Sequence, residues 1–253
     1  MTLSVLSLLF FAGLAGGIIN ALAGGATLIT FPAMLASGLP PVTANTSNAL
    51  AIAQGHLLAA IADRQKLPRF DAPLIIELGC CAVGAGIGAV LLLSLPEGAF
   101  LLPVPALILF GTLLFLFSPQ IATWCERRRA GGAPKQGLGA LLLLGSSLYG
   151  GFFGAGLGVI LSAVLAVADP HDIRRVKVLK NLLATSVSLV AATIFVLHGA
   201  IAWMQTIVML SGALIGGYLG GTLIRILPSD VVRWFVIVAG LAMSLIYAAR
   251  YWF

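Results

Sequence analysis

The sequence predicts an all-α protein, a polytopic transmembrane helical bundle built from two inverted-topology repeats of about five segments each. Of its 253 residues, 60% are hydrophobic and only 9% are charged, whereas a soluble domain carries roughly 25% charged residues. One bilayer crossing needs roughly 20 mostly apolar residues, and apolar segments follow one another along the whole chain. The chain also aligns with itself at an offset of roughly 132 to 134 residues. We therefore expect a single transmembrane domain, residues 1–253, with no soluble domain.

Each half of the sequence contains five apolar segments, and the second segment of each is short. Irregular backbone at membrane depth is tolerated where it is buried in protein or lines a cavity, so the first two segments of each half can form a re-entrant hairpin. Counting these hairpins either way gives eight to ten membrane segments. The predicted segments are residues 3–20, 24–37, 43–62, 72–94 and 99–118 in the first half, and 138–155, 158–168, 177–197, 202–226 and 230–251 in the second.

The internal alignment rests on residues that apolar composition alone would not keep in register. Gly16 and Gly17 fall on Gly150 and Gly151, Asn48 falls on Asn181, and the pair Leu95-Pro96 falls on Leu227-Pro228. The alignment divides the chain into repeat one (1–120), a cytoplasmic linker (121–136) and repeat two (137–253).

The basic residues predict how the repeats are oriented. With five segments per half, 13 of the 14 Lys and Arg residues fall on one side of the membrane and only Arg250 on the other. With four segments per half the split is 8 against 6, which is no bias. The positive-inside rule therefore selects inverted repeats with the basic loops in the cytoplasm and both termini outside. Because the basic residues lie in short loops, the net charge of +6 does not indicate a nucleic-acid partner.

Inverted repeats are typical of secondary transporters, in which broken helices build a substrate site near the midplane. Two runs, GGIINALAGGATLITFPAMLASGLPPVTANTSNAL in the first half and GGFFGAGLGVILSAVLAV followed by RRVKVLKNLLATSVSL in the second, resemble the paired signatures of the sulfite exporter TauE/SafE family. The resemblance covers essentially the whole chain. It implies a bacterial inner-membrane exporter of sulfite, sulfoacetate or a related sulfur-containing anion, without identifying the anion.

Glycine-rich breaks before the short segments are candidate anion sites. Gly24, Gly25 and Thr27 open the second segment of repeat one, and Gly156 and Gly158 open its counterpart. Helix N-termini bind anions through free N–H groups and the positive end of the helix dipole. The alternative is that these glycines only allow helices to pack closely.

Polar side chains near the breaks are candidate substrate ligands. We expect Asn20, Asn48 and Asn181 to bind substrate oxygens, with Lys180 as the counter-charge, and Asn45 and Thr46 to belong to the same polar cluster. The alternative is that Asn45 caps a helix and that the lysines only mark the cytoplasmic loop.

Two titratable residues inside predicted segments are coupling candidates. His56 could couple transport to protons, since histidine titrates near neutral pH, or it could bond a neighbouring helix. Glu77 is the only acidic residue well inside a predicted segment. Its alternative role is an ion pair with a basic residue. The lack of paired intramembrane acids weighs against sodium coupling.

Other function classes receive little support from the sequence. There is no metal-ligand spacing, no phosphate-binding GxxxxGK[ST] motif and no catalytic triad order, so we expect neither an enzyme nor a cofactor or metal. The expected partners are a small anion and the lipid bilayer, and a homo-oligomer is left open. An anion channel and a scaffold subunit of a membrane complex remain the alternatives to a transporter.

Overall fold

The computed structural model describes residues 2–22, 25–62, 70–129, 136–168, 173–223 and 229–253, and these contain helices, turns and no strands. This confirms the all-α class. The helices are α1 (Leu3–Leu22), α2 (Thr27–Ala36), α3 (Pro41–Ala62), α4 (Ala72–Ser94), α5 (Glu97–Leu101), α6 (Val104–Leu116), α7 (Ser118–Arg129), α8 (Gln136–Phe152), α9 (Leu157–Ala168), α10 (Ile173–Leu197), α11 (Trp203–Leu223) and α12 (Ser229–Tyr251).

Within the described residues, each predicted segment corresponds to observed helix, with two differences; residues 24 and 224–226 of the predicted segments lie outside the described part of the chain. The segment predicted at 99–118 is divided into α5 and α6 just before Pro103, since proline cannot continue an i→i−4 ladder. The predicted linker 121–136 is helical as far as Arg129, because α7 begins at Ser118. The remaining linker residues 130–135 lie outside the described part of the chain.

The helices have the lengths and surfaces of a multi-pass membrane protein. Within the described residues, five helical stretches are long and apolar enough to cross a bilayer, one of them made of α5 and α6 together (Glu97–Leu116). Three apolar helices of 10–17 residues accompany them. The longer ones expose large apolar side chains, such as Val83 and Val90 on α4 and Val238 and Leu245 on α12. Such a surface fits a lipid environment.

The most extensive helix packing joins the two halves of the chain. α1 packs on α11 and α4 packs on α8, and each pair runs parallel. Gly84 lies against Leu144 and Gly88 against Leu148, one turn further along both helices. A Cβ on Gly88 would overlap the carbonyl oxygen of Leu148, so glycine is what allows these backbones to approach so closely.

Matching the halves helix by helix pairs α1 with α8, α3 with α10, α4 with α11 and α6 with α12. Replacing each helix by its counterpart in the other half turns the α1–α11 contact into the α8–α4 contact, and both contacts are present. α3 and α10 run antiparallel, because Thr46 bonds Ala200 just beyond the end of α10 while His56 lies near Lys180, in the first half of α10. The α6 and α12 helices are also antiparallel. Corresponding helices that point in opposite directions support the prediction that the repeats are inverted.

Candidate functional site

A cavity of about 50 Å³ lies where the break between α1 and α2 meets the break between α8 and α9. A cavity needs about 10–15 Å³ to hold one water molecule, so this one has room for a small ion. The lining residues are Asn20 of α1, residues 25–27 before and at the start of α2, Ala49, Ile52, Ala53 and His56 of α3, Gly150, Phe153 and Gly154 at the end of α8, residues 156–158 at the start of α9, and Ser188 and Ala191 of α10.

The break between α8 and α9 is a glycine turn. Gly154 and Gly156 have φ values of +77° and +79°, a conformation that costs other residues free energy. The carbonyl oxygen of Tyr149 accepts from the N–H groups of Phe153 at 2.9 Å and Gly154 at 3.1 Å, which closes the helix. The Tyr149 hydroxyl donates to the carbonyl oxygen of Ala155 at 2.7 Å and so fixes the turn between the two helices.

The break between α1 and α2 is held by packing. The carbonyl oxygen of Gly25 accepts from Leu28 N at 3.2 Å as α2 begins. A Cβ on Gly25 would lie 2.7 Å from the Phe115 ring, so α6 presses directly on this turn. Asn20, in the last turns of α1, lies against Gly55 of α3. Gly24 lies outside the described residues.

The first N–H groups of a helix have no acceptor within that helix and carry the positive end of its dipole. α2 and α9 both begin at the cavity, so both helix ends favour an anion there. Thr27, Asn20, His56 and Ser188 add polar side chains to the lining. The site can therefore bind a small anion without a lining acid.

Lys180 does not line the cavity but lies within electrostatic reach of His56, which does. Ser188 and Ala191 follow it on α10 by eight and eleven residues, a spacing that keeps all three on one helical face. Lys180 thus adds positive charge beyond the His56 side of the cavity.

Three neighbouring polar residues of α3, none of which lines the cavity, join the halves of the protein. Asn45 Nδ2 donates to the carbonyl oxygen of Phe152 at 2.9 Å, and the Thr46 hydroxyl donates to the carbonyl oxygen of Ala200. The hydroxyl oxygen of Ser47 accepts from Ala202 N at 2.9 Å. Asn45 and Thr46, both predicted as substrate ligands, are therefore used in contacts between the repeats.

The other predicted residues are also absent from the cavity lining. Asn48 is buried on α3, and Asn181 is half-buried on α10, where its carbonyl oxygen accepts from the Thr185 hydroxyl at 2.7 Å. Glu77 is half-buried on α4, a helix that contributes nothing to the lining.

Sequence reasoning missed Ser188 and the small α3 residues Ala49 and Ala53. Their helical spacing gave a usable signal, because Ala49 and Ala53 precede His56 on one face and Ser188 shares the face of Lys180. In the described ranges no group of three or more His, Cys, Asp or Glu residues is placed to hold a metal.

Comparison with known proteins gives one family. A model of the family described as "Sulfite exporter TauE/SafE" matches residues 9–247. No solved structure matches the chain.

Several curated proteins are similar to the chain over nearly their whole lengths. A "Probable membrane transporter protein" of Haemophilus influenzae is 28% identical over 242 residues, covering 96% of this chain and 94% of that protein. "Probable membrane transporter protein YfcA" of Escherichia coli K12 is 27% identical over 243 residues, covering 95% and 88%. "Probable membrane transporter protein ORF9" of a Sinorhizobium species is 24% identical over 244 residues, covering 95% and 91%.

Proposed function

The chain belongs to the sulfite exporter TauE/SafE family, and from this premise we propose that it is a secondary transporter that exports sulfite, sulfoacetate or a related sulfur oxyanion or organosulfonate. The observation that carries the proposal is the cavity at which both short helices begin. Membership of the family supports transport, and the two helix N-termini support an anionic substrate.

The proposed anion site consists of residues that were predicted as substrate ligands from the sequence and that also line the cavity. Backbone N–H groups at Gly25, Thr27, Gly156 and Gly158 would face the anion from two sides, and an anion held by fixed donors avoids the large cost of burying an unpaired charge. Asn20 would add a side-chain donor. These contacts suit a small, compact anion with several oxygens.

Positive charge on one side of the site supports the same substrate. His56 lines the cavity, and Lys180 lies beyond it toward the beginning of α10. In the proposed topology that end of α10 is cytoplasmic, so Lys180 would attract the anion on the side from which it is exported. Asn48 and Asn181 are not part of this proposed site, because neither lines the cavity.

The proposed transport cycle is alternating access between two inverted repeats. The antiparallel α3–α10 and α6–α12 pairs support this arrangement. The basic loops would lie in the cytoplasm and both termini outside, as the positive-inside rule predicts. Movement at the α3–α10 contact would open the cavity to each side in turn.

Flux measurements in proteoliposomes test the proposal. We expect sulfite or sulfoacetate efflux to saturate and to be accelerated by anion on the opposite side, as a carrier requires. Thr27→Val should lower efflux about tenfold, since a hydrogen bond to a charged group is worth about 1.5–3 kcal/mol. Thr193→Val, on an exposed face of α10, is the matched control.

The same measurement separates the alternatives. Flux that is not accelerated from the opposite side would indicate a channel. No flux of any tested anion, with no thermal stabilisation by them, would contradict the transporter proposal and favour a scaffold. Equal efflux in Thr27→Val and Thr193→Val would remove the α2 N-terminus from the site.

A further inference from the structure

Two asparagines on α3 each have a buried side-chain oxygen without a hydrogen-bond donor. Asn45 is 2% exposed and Asn48 is 1% exposed, and the Oδ1 atom of each has no partner. Leaving a buried acceptor unsatisfied costs free energy, so such groups in native proteins call for a specific explanation. Neither asparagine lines the anion cavity, so an anion bound in that cavity does not explain the two unpaired oxygens.

The orientation of the Asn45 amide is fixed by its other atom. Nδ2 donates to the carbonyl oxygen of Phe152 at 2.9 Å. Reversing the amide would put two acceptor oxygens against each other, so Oδ1 is the atom left unpaired. Phe152 is the last residue of α8, where backbone carbonyl groups carry the negative end of the helix dipole. The surroundings of Asn45 Oδ1 therefore favour a positive charge.

Asn48 follows Asn45 by three residues, so the two side chains are neighbours on the helix surface, at about 5–6 Å between Cβ atoms. Oxygen atoms at this spacing can bind one ion together. The asparagine oxygens are uncharged ligands, whereas Ca²⁺ and Mg²⁺ sites use carboxylates. The described residues also hold no cluster of acids or histidines placed for a metal.

We infer that Asn45, Asn48 and the carbonyl end of α8 form a binding site for a monovalent cation of the Na⁺ class, which serves as the coupling ion. The absence of paired membrane acids, which weighed against sodium coupling in the sequence, does not exclude a site made of amide and backbone oxygens. Carbonyl ends of broken helices bind Na⁺ in other secondary transporters.

The cation site adjoins the anion cavity along two elements. Phe153 and Gly154, directly after Phe152, line the cavity, and so does Ala49, one turn after Asn45. The break thus offers carbonyl groups from α8 to a cation and N–H groups from α9 to an anion. Opposite charges bound this close would each raise the affinity for the other, and this coupling is reciprocal. The coupling part of the inference rests on the proposed function, while cation binding does not.

Thermal unfolding of the purified full chain tests cation binding without any anion transport. NaCl, compared with choline chloride at equal ionic strength, should raise the Tm of the wild type by a few degrees, since a ligand that binds only the folded state stabilises it. Asn48→Leu should lose this shift yet keep or exceed the wild-type Tm in choline chloride, because it removes an unsatisfied oxygen.

Gln54→Leu is the matched control. Gln54 also has a buried, unpartnered side-chain oxygen, Oε1, but it follows Asn45 by nine residues and so points to the opposite side of α3. It should keep the Na⁺ shift. A wild-type Tm that is equal in the two salts, or the same shift in Asn48→Leu, would overturn the inference.

Anion flux in proteoliposomes then separates this inference from the proposed function. Na⁺ loaded together with sulfite inside the vesicles, against choline outside, should accelerate sulfite efflux severalfold in the wild type and in Gln54→Leu, but not in Asn48→Leu, because ions that raise each other's affinity are carried together. Sulfite flux that does not depend on the Na⁺ gradient would contradict the role of Na⁺ as the coupling ion and would still agree with the proposed transporter function. A Na⁺ shift in Tm without any anion flux would support the cation site and contradict the proposed function.

Discussion

Gly88, at the interface between α4 and α8, differs from Gly158, in the first turn of α9, in what an added methyl group would meet. A Cβ on Gly88 would overlap the carbonyl oxygen of Leu148, whereas a Cβ on Gly158 would meet nothing within 4 Å. The first glycine is required for packing between the halves, and the second keeps a cavity open. Glycine-rich sequence therefore has two meanings in this fold, and substitutions with alanine can separate them.

The largest loss of stability is expected for Gly88→Ala. The new methyl group would overlap backbone atoms of α8, which cannot move aside as a side chain could, so we expect the free energy of unfolding to fall by about 1–3 kcal/mol. Thermal unfolding in detergent measures this. Gly86→Ala, on the same helix with its nearest neighbours at 3.8 Å or more, is the control, and equal stability of the two variants would contradict the packing role.

An intermediate loss is expected for Gly156→Ala. Its φ of +79° costs an L-residue about 1–2 kcal/mol, while the nearest non-local atom to a new Cβ, on Leu114, belongs to a side chain that can shift. Gly156→Asn should lose less stability, since asparagine tolerates this conformation better. If Asn is no better than Ala, backbone conformation is not what selects glycine here.

The smallest effect on stability is expected for Gly158→Ala, and here the effect moves to transport. Alanine is the better helix former by about 1 kcal/mol and meets no neighbour, so the Tm should stay level or rise. The methyl group would occupy part of the cavity and reduce sulfite efflux. Gly145→Ala, exposed on α8 with open space around it, should change neither, and normal efflux in Gly158→Ala would contradict the cavity's role.

Sequence periodicity and length predicted the helices well, because each membrane crossing needs its own apolar run. They did not predict α7, since its charged residues resemble those of a loop. The division at Pro103 was also missed, although proline at that position carried the signal.

The candidate site was predicted in part. Glycine in an apolar segment indicates a helix break, so Gly25, Thr27, Gly156 and Gly158 could be selected from the sequence. All four line the same cavity. Thr46 was predicted as a substrate ligand and instead bonds the second half of the protein, because polarity in an apolar segment indicates that a partner is needed, but not which partner. The partner of Thr46 is Ala200, more than 150 residues away, and only the packing of α3 against the second half determines this.

The pairing of α1 with α11 also has a consequence for biosynthesis. α1 ends at Leu22 and α11 begins at Trp203, so roughly 180 residues are synthesised between the two partners. At about 5–20 residues per second, the ribosome needs about 10–40 s for this stretch. Throughout that interval the face of the first helix that packs on α11 lies in the membrane without its partner. The period before α11 emerges is therefore the time when insertion factors or misassembly would act on the nascent chain.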